Sequence, residues 1–281
     1  MKNVLRTLIY GGQVSLTLVD ATEIVKEGIK LHNLSQGSAL LFGKALAAMT
    51  FMSASLKNER GEVSLSLKCG GGAEEIAVSG NRALRLRGYI AETALSDGFS
   101  EREMLGDGSM TIIRDDGYSR PFVGACGFPE QAEIDGIFEE YYRISEQLPT
   151  RIYTTVEFGK TGELIFAGAA VLQPLPFAES ETLEKVKSYS LESLTADVKE
   201  KGVEMAATAA FEKENSVWEL RDAVYKCNCS REYLTRVLIS LGEEQMREII
   251  REDGSVHVHC HYCNTDYHFT ESDADRIFKK A

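Results

Sequence analysis

Four of the six cysteines in this 281-residue chain lie in two close pairs near its C-terminal end. The pairs are Cys227-x-Cys229 and Cys260-x-x-Cys263, with thirty residues between them. Zn²⁺ prefers four tetrahedral ligands, and sites made of four cysteines commonly combine two short-spaced pairs that the fold brings together. The pattern therefore predicts that these four cysteines hold one Zn²⁺ per chain.

The first pair differs from that of an ordinary zinc ribbon, which uses a two-residue spacer. The single residue between Cys227 and Cys229 leaves no room for the usual knuckle turn, but it holds the two sulfurs close enough to bond to each other. The sulfurs of Cys260 and Cys263 are also close enough to bond to each other. Zinc would keep all four sulfurs as thiolates, the form that oxidants attack, and a helix starting near Ser230 would favour the charged form of Cys229. Oxidation to a sulfenate and condensation with the neighbouring thiol would release the metal reversibly.

The N-terminal sequence and the charge indicate a cytoplasmic protein that binds neither a membrane nor nucleic acid. Arg6 interrupts the first apolar run and no cleavage site follows it, so we predict no signal peptide. The longest apolar stretch, Ala39–Met52, contains Gly43 and Lys44 and is too short to span a bilayer. A formal net charge of -12 argues against binding a phosphate backbone. Because stable disulfides are rare in the reducing cytosol, metal binding or redox chemistry is favoured for the clustered cysteines.

Residues 1–176 show the patterns of an α+β core domain with an antiparallel sheet and a buried helix. The helix is predicted over residues 35–57, which are apolar nearly all round, and an amphipathic helix is predicted over 130–148. Alternating polar and apolar residues predict the following strands: Val14–Val19, Glu62–Lys68, Glu75–Ser79, Ser109–Arg114, Tyr153–Phe158 and Leu164–Leu172. Pro174 and Pro176 then end the domain.

Residues 177–222 predict a helical linker, because their apolar residues follow a thin helical stripe among many acidic side chains. Such short helices have little apolar material to hold them in place, so we expect them to be weakly stable. Residues 223–281 predict the zinc-binding, redox-switch domain, with helices over Arg231–Leu241 and Glu243–Arg251. The buried face of the first of these helices is predicted to be Leu234, Val237, Leu238 and Leu241. Short strands are predicted at Val256–His259 and Tyr267–Phe269.

These motifs resemble the heat-shock protein thirty-three family, the bacterial redox-regulated chaperonins. The C-terminal residues that carry the resemblance are Cys227-Asn228-Cys229-Ser230-Arg231-Glu232, Leu238-Ile239-Ser240-Leu241-Gly242, Cys260-His261-Tyr262-Cys263-Asn264 and Tyr267-His268-Phe269. The core landmarks that are similar to the family's are Leu105-Gly106-Asp107-Gly108, Tyr141-Tyr142 and Ala167-Gly168-Ala169. The resemblance therefore extends over most of the chain.

The resemblance implies an ATP-independent chaperone, a holdase, and not an enzyme. The reduced, zinc-loaded protein would be inactive. Oxidative stress would form Cys227–Cys229 and Cys260–Cys263 disulfides, expel zinc and unfold the zinc domain and the linker. The apolar surface exposed in this way would hold unfolding client proteins, and oxidised subunits would form a homodimer. ATP-dependent foldase chaperones would be partners for client hand-off.

Other interpretations stay open at this point. The four cysteines could form a structural zinc site without a switch, a zinc-ribbon nucleic-acid binder, or a thiol–disulfide oxidoreductase that uses Cys260 and Cys263. His257, His259, His261 and His268 lie around the site, and we interpret them as neighbours of the metal centre and not as ligands. Cys69 and Cys126 are interpreted as small buried apolar residues, with additional redox sensors as the alternative. The Cys69-Gly70-Gly71-Gly72 run lacks the lysine of a phosphate-binding loop and predicts a hairpin turn.

Overall fold

The computed structural model describes residues 2–130, 133–214 and 217–279. These residues form two compact units, of which the first ends at Lys226 and the second begins at Cys227. We call them the core unit and the C-terminal unit. The predicted linker, residues 177–222, is part of the core unit. The three predicted domains remain a prediction, because packing in one conformation does not test which segments unfold independently.

The core unit contains most of the strands and helices. In chain order they are β1 (Val4–Ile9), β2 (Val14–Asp20), α1 (Thr22–His32), α2 (Gln36–Ala54), β3 (Glu62–Cys69), β4 (Glu75–Asn81), β5 (Arg85–Ile90), α3 (Glu101–Leu105), β6 (Gly108–Asp115), β7 (Phe122–Gly127), α4 (Ile134–Tyr141), β8 (Arg151–Phe158), β9 (Leu164–Pro174), α5 (Ser180–Ser188), α6 (Leu191–Lys201), α7 (Val203–Phe211), β10 (Glu219–Arg221) and β11 (Val224–Tyr225).

The strands of the core unit form two sheets. The first sheet has the order β10-β1-β2-β9-β8, and the second has the order β11-β5-β4-β3-β6-β7. Neighbouring strands are antiparallel except for β11, which pairs in parallel with β5. The predicted α+β fold with an antiparallel sheet is therefore confirmed.

Helix α2 is the centre of the main hydrophobic core. Its N-terminus is capped by Ser35, whose hydroxyl accepts a hydrogen bond from the amide of Ser38 at 3.3 Å. The helix packs against β2, β8 and β9 of the first sheet and β3, β4 and β5 of the second. In the described part of the chain, α2 is the one helix long and apolar enough to cross a membrane, and 94% of its apolar window is buried within the fold. The prediction of a buried helix is confirmed.

The glycine run after β3 forms a turn that joins β3 to β4, as predicted. The amide of Gly70 donates to the carbonyl of Asp107 at 2.6 Å, and the amide of Gly71 donates to that of Leu105 at 2.9 Å. A Cβ atom on Gly71 would lie 2.6 Å from the carbonyl oxygen of Met104. Glycine is therefore required here by the close approach of a second backbone segment.

The predicted linker packs more firmly than its sequence indicates. Helices α5, α6 and α7 cover the face of the first sheet that is turned away from α2. The buried residues of the linker in this second core are Val186, Leu191, Leu194, Val198, Val203, Ala206, Ala207 and Phe211. The sheet contributes Leu5, Ile9, Val14, Leu16, Leu18, Phe166, Ala170 and Leu172. The predicted apolar stripe is therefore buried, and α7 extends it with Val203, two alanines and Phe211; the weak stability expected of these helices remains a prediction.

Three segments differ from their predicted secondary structure. The helix predicted over 130–148 is α4 followed by a π-helical turn, Tyr142–Glu146, and residues 131–132 lie outside the described part of the chain. Strand β9 continues to Pro174, which is tolerated because β8 begins opposite Leu172 and β9 has only β2 beside it at that point. The last described residues of the predicted linker are extended, because β10 pairs with β1 at the sheet edge.

The C-terminal unit contains α8 (Arg231–Leu241), α9 (Glu243–Asp253), β12 (Val256–Cys260), β13 (Thr265–Phe269) and α10 (Glu271–Phe278). Strands β12 and β13 form an antiparallel hairpin. The small core of the C-terminal unit consists of Leu238, Met246, Ile250, Val256, Phe269 and Ala274. The predicted buried face of α8 is partly wrong, because Val237 and Leu241 are 46% and 44% exposed.

Candidate metal centre

The four predicted ligands come from two places in the C-terminal unit. Cys227 and Cys229 precede α8, whose first turn is capped by Ser230 through a hydrogen bond from the amide of Tyr233 at 3.1 Å. Cys260 ends β12, and Cys263 lies in the turn before β13. Gly254, in the left-handed conformation at φ +80°, ends α9 and lets the chain enter β12. Helix caps and the hairpin turn thus position both pairs.

The structure brings all four sulfurs together. Their Sγ atoms lie within 4.8 Å of one another. Two separations between the pairs are 3.1 Å, from Cys229 to Cys263, and 3.8 Å, from Cys227 to Cys260. Four sulfurs bound to Zn²⁺ at about 2.3 Å lie about 3.8 Å apart, so the spacing fits a tetrahedral site. A donor set of four thiolates selects zinc over the hard cations.

Hydrogen bonds make the four thiols unequal. The Tyr267 hydroxyl lies 3.4 Å from the Cys229 sulfur, and the Thr265 hydroxyl lies 3.3 Å from that of Cys263. Partial burial raises the pKa of Cys227 to about 11 and also raises that of Cys263. Burial acts on Cys229 in the same direction, but hydrogen bonds from Tyr267 and the neighbouring thiols outweigh it and lower its pKa. Among Cys227, Cys229 and Cys263, Cys229 is therefore the thiol most readily ionised.

Tyr267 and Thr265 were not predicted from the sequence as partners of the sulfurs. The charged form of Cys229 was expected to be favoured by the helix after Ser230, whereas in the structure the hydroxyl of Tyr267 on β13 also contacts this sulfur. The strand alternation held the missing signal, since Tyr267 lies two residues from Phe269, which is buried in the small core. Residues on that face point toward the inside of the unit.

The histidines around the site are not part of the sulfur cluster. Among the described residues, the group of metal-binding side chains within 4.8 Å of one another contains the four cysteines and no histidine. His257 and His259 instead bond the carboxylate of Asp266, each at 2.8 Å. The structure thus agrees with their interpretation as neighbours and not ligands of this centre.

Cys69 and Cys126 lie in strands of the core unit. Cys126 is 8% exposed, and half-buried Cys69 packs against the same main core. Burial raises the pKa of Cys69 to about 12, and it raises that of Cys126 as well. Both thiols are therefore protonated near neutral pH, which disfavours reaction with oxidants.

The sequence model of the Hsp33 protein family matches residues 2–270 of this chain. The chain belongs to the Hsp33 family. It is 30% identical over 289 residues to the 33 kDa chaperonin of Alkaliphilus oremlandii, covering 99% of this chain and 96% of that protein. It is 29% identical over 290 residues to the 33 kDa chaperonin of a Clostridium botulinum strain, covering 99% and 98%.

The fold of the Hsp33 family is also found in the structural comparison. The crystal structure of the 33 kDa chaperonin from Thermotoga maritima matches with a TM-score of 0.83 and 23% identity, covering 100% of this chain and 99% of the other. That likeness shows the fold. The resemblance drawn from the cysteine motifs and the core landmarks is therefore confirmed at the level of the family.

Proposed function

We propose that this protein is a redox-regulated, ATP-independent chaperone whose switch is the four-cysteine centre. The observation that carries the proposal is the convergence of four sulfurs within 4.8 Å in a small unit of an Hsp33 family member. The curated relatives are named 33 kDa chaperonins, which supports a protein that binds other proteins and is not an enzyme.

In the reduced state the metal centre would stabilise the C-terminal unit. When bound, Zn²⁺ would be held by Cys227, Cys229, Cys260 and Cys263 as thiolates. The core of this unit consists of six buried apolar residues, with partly buried neighbours around it. A structural zinc site contributes about 10–16 kcal/mol of apparent binding free energy, which exceeds the net stability of most domains. Holding the four sulfurs together would therefore decide whether the unit folds.

Oxidation would remove the four ligands. In each pair, one thiolate attacks peroxide and becomes a sulfenic acid, and the peroxide is reduced to water. The second thiol then displaces a second water and closes the disulfide, so each pair loses two electrons. The products would be Cys227–Cys229 and Cys260–Cys263 disulfides. Cys229, whose pKa is lowered, is the sulfur we expect to react first in its pair.

Unfolding of the C-terminal unit would affect the core unit through the covalent connection between Lys226 and Cys227. One residue, Lys226, separates Cys227 from β11. Strands β11 and β10 have only two and three residues, and both lie at sheet edges. Strands this short are held by few ladder hydrogen bonds. Once they are released, α5, α6 and α7 would be held to the first sheet by apolar packing, by the hydrogen bonds that Arg151 of β8 donates to the carbonyls around the end of α5, and by the ion pair of Lys199 with Glu157.

The surface beneath the linker is the proposed client-binding face. Undocking α5–α7 would uncover the apolar residues of the first sheet, among them Leu16, Leu18 and Phe166. An exposed apolar patch of this kind binds unfolding proteins, which expose similar patches themselves. We propose cytoplasmic location, a homodimer of oxidised subunits that shares such faces, and hand-off of clients to ATP-dependent foldase chaperones.

The decisive experiment follows zinc release and client holding together. Purified zinc-loaded protein is treated with peroxide at mildly raised temperature, and aggregation of an unfolding client is recorded by light scattering without ATP. We expect one zinc per chain to be released as aggregation becomes suppressed, and reductant with zinc to reverse both. Cys69→Ser with Cys126→Ser is the matched control and should switch normally.

Two results would contradict this proposal. Equal suppression of aggregation by the reduced, zinc-loaded protein would exclude the switch. Reduction of insulin disulfides at a thioredoxin-like rate would favour a thiol–disulfide oxidoreductase. Against that alternative, Cys260-x-x-Cys263 joins two strands and does not precede a helix.

A further inference from the structure

Strand β7 is the last strand of the second sheet, and in the described part of the core unit it has one neighbouring strand, β6. The amide of Phe128 donates to the carbonyl of Gly108 at 2.9 Å, which fixes the phase of the antiparallel ladder between β7 and β6. Because hydrogen-bonded and non-hydrogen-bonded pairs alternate in such a ladder, the amides and carbonyls of Val123, Ala125 and Gly127 point away from β6. They form a row of main-chain groups at the edge of the sheet.

The residues of this row are exposed and uncharged. Val123, Ala125 and Gly127 are all exposed, whereas Gly124 between them is buried. The side chain of Val123 is 60% exposed, and that of Ile113, its partner on β6, is 42% exposed. The edge therefore combines outward-pointing main-chain groups with apolar side chains, which is the composition of a surface that accepts another strand.

The other sheet edges of the core unit carry the features that prevent strand addition. Charged side chains, bulges and very short strands all protect an edge. Strand β8 contains Arg151 and Glu157 and has a register shift at its end. Strand β10 contains Glu219 and Arg221, and β11 has two residues. Strand β7 has six residues, none of them charged, and its register against β6 is continuous.

We propose that β7 is an interface through which two copies of this chain associate, with the two β7 strands antiparallel across a twofold axis. Outward-pointing residues must face outward-pointing residues, so in the centred register Ala125 lies opposite Ala125 of the partner subunit. Val123 then lies opposite Gly127 of the partner subunit. Each such pair exchanges two main-chain hydrogen bonds, and the two second sheets join into one continuous sheet.

The residues that flank β7 favour a second copy as the occupant. The centred register sets Arg120 opposite Glu130 of the partner subunit, and both residues are exposed. Opposite charges across neighbouring strands attract, and the twofold axis repeats this pair at the other end of the interface. Pro121 lies opposite Pro129 of the partner subunit, where the missing amides end the ladder. An unfolding client segment would offer no such matched charges at both ends.

This interface goes beyond the proposed function. The homodimer of oxidised subunits proposed above shares the faces beneath the linker, which belong to the first sheet. Strand β7 belongs to the second sheet, and its outward row does not depend on release of α5–α7. We therefore expect the association in the reduced, zinc-loaded protein.

The test measures the molar mass of full-length, reduced, zinc-loaded protein by sedimentation equilibrium over a wide range of concentrations. We expect a monomer–dimer equilibrium. Ala125→Lys sets two like charges opposite each other and should weaken dimerisation at least tenfold, and Ala125→Glu should do the same. An equimolar mixture of the two variants should dimerise again, because position 125 faces itself across the twofold axis.

Two further variants make the test specific. Ser109→Lys adds the same charge to an exposed position of β6, one strand in from the edge, and is the matched control that should dimerise like the unaltered protein. If circular dichroism shows that Ala125→Lys is unfolded, Ala125→Pro decides, because it removes an amide that points away from β6.

A monomer at every concentration would overturn the interface. A dimer that Ala125→Lys and Ala125→Pro leave intact would overturn it as well, and so would equal weakening by Ser109→Lys. A mixture of the Lys and Glu variants that stays monomeric would overturn the centred register.

Discussion

At Cys229 a hydroxyl group from a neighbouring strand changes the chemistry of a thiol. Tyr267 places its oxygen 3.4 Å from the sulfur, and this contact contributes to the lowered pKa of Cys229. Groups that bond metal ligands from outside tune the affinity of the centre as well as its reactivity. Tyr267 is therefore a positioning residue of the proposed site.

Removing this hydroxyl should weaken zinc binding. We expect Tyr267→Phe to lower zinc affinity about tenfold, the lower end of the effect seen for such outer partners, because the Cys229 thiolate loses a hydrogen bond. Competition with a chromogenic chelator measures the affinity. Tyr233→Phe, an exposed tyrosine on α8, is the matched control, and equal affinities for the two variants would show that the contact is unimportant.

A second residue with a shifted pKa, Asp135, lies in the first turn of α4 and contacts β8. The carboxylate of Asp135 accepts hydrogen bonds from the amide of Thr154, at 3.0 and 3.1 Å, and from its hydroxyl. Burial raises the pKa of Asp135 to about 6, against the opposing influence of Lys44. The folded chain therefore keeps this proton up to about pH 6, whereas the unfolded chain loses it near 3.8.

This residue should make stability fall as pH rises. Between about pH 4 and pH 6 the folded state binds more protons, so its contribution to the free energy of unfolding decreases. Relative to Asp135→Asn, the unaltered protein should lose up to about 3 kcal/mol over this interval, at about 1.4 kcal/mol per pKa unit. Urea unfolding at several pH values measures the difference. Glu27→Gln controls for loss of one negative charge, and a constant difference would contradict the assignment.

The site residues could be named from the sequence because cysteine spacing carries a chemical meaning that does not depend on the fold. The contacts of Tyr267 and Asp266 could not, since they depend on the register of β12 against β13. A shift of one residue would turn every side chain of a strand to the other face. The spacing of the cysteines therefore predicts the metal ligands, whereas the pairing of the two strands is needed to predict which residues contact them.

Among the secondary-structure elements, α2 was the easiest to predict and the linker the hardest. A run of apolar residues on all sides of a helix has one outcome, which is burial between two layers. The linker helices are short and acidic, and their alanines give no strong signal. Their packing is set by the face of the first sheet, where β1 and β2 present Leu5, Leu16 and Leu18.

Loosening the linker should activate the chaperone without oxidant. Leu194 of α6 is 2% exposed, and Leu→Ala changes at such positions cost about 2–5 kcal/mol. We expect Leu194→Ala to raise hydrogen exchange across α5–α7 and to suppress client aggregation in the reduced, zinc-loaded state. Glu200→Ala, on the exposed side of the same helix, should do neither. Faster hydrogen exchange without suppression of client aggregation would show that the surface beneath the linker is not the client-binding face.

For the whole molecule, the division at Lys226 predicts two responses to metal removal. A chelator with reductant should unfold residues 227–279, because six buried apolar residues cannot replace about 10–16 kcal/mol of metal binding. The core unit should keep its sheets, since its main core is far larger. Limited proteolysis with mass spectrometry should show new cleavage sites within residues 227–279. A C-terminal unit that stays protease-resistant without metal would refute the dependence of its folding on the metal.

The last strands of the core unit have a consequence for assembly. Strands β10 and β11 cap β1 and β5, so each shields a row of backbone amides and carbonyls at the rim of its sheet. If both peel away, β1 and β5 become open borders that an extended peptide, or the same border of another subunit, can extend by main-chain pairing. Because β10 and β11 have only three and two residues, their ladder hydrogen bonds, together with the side-chain bonds of Asn3 to Ala223 and of Tyr225 to Gly88, decide whether the molecule stays solitary or associates.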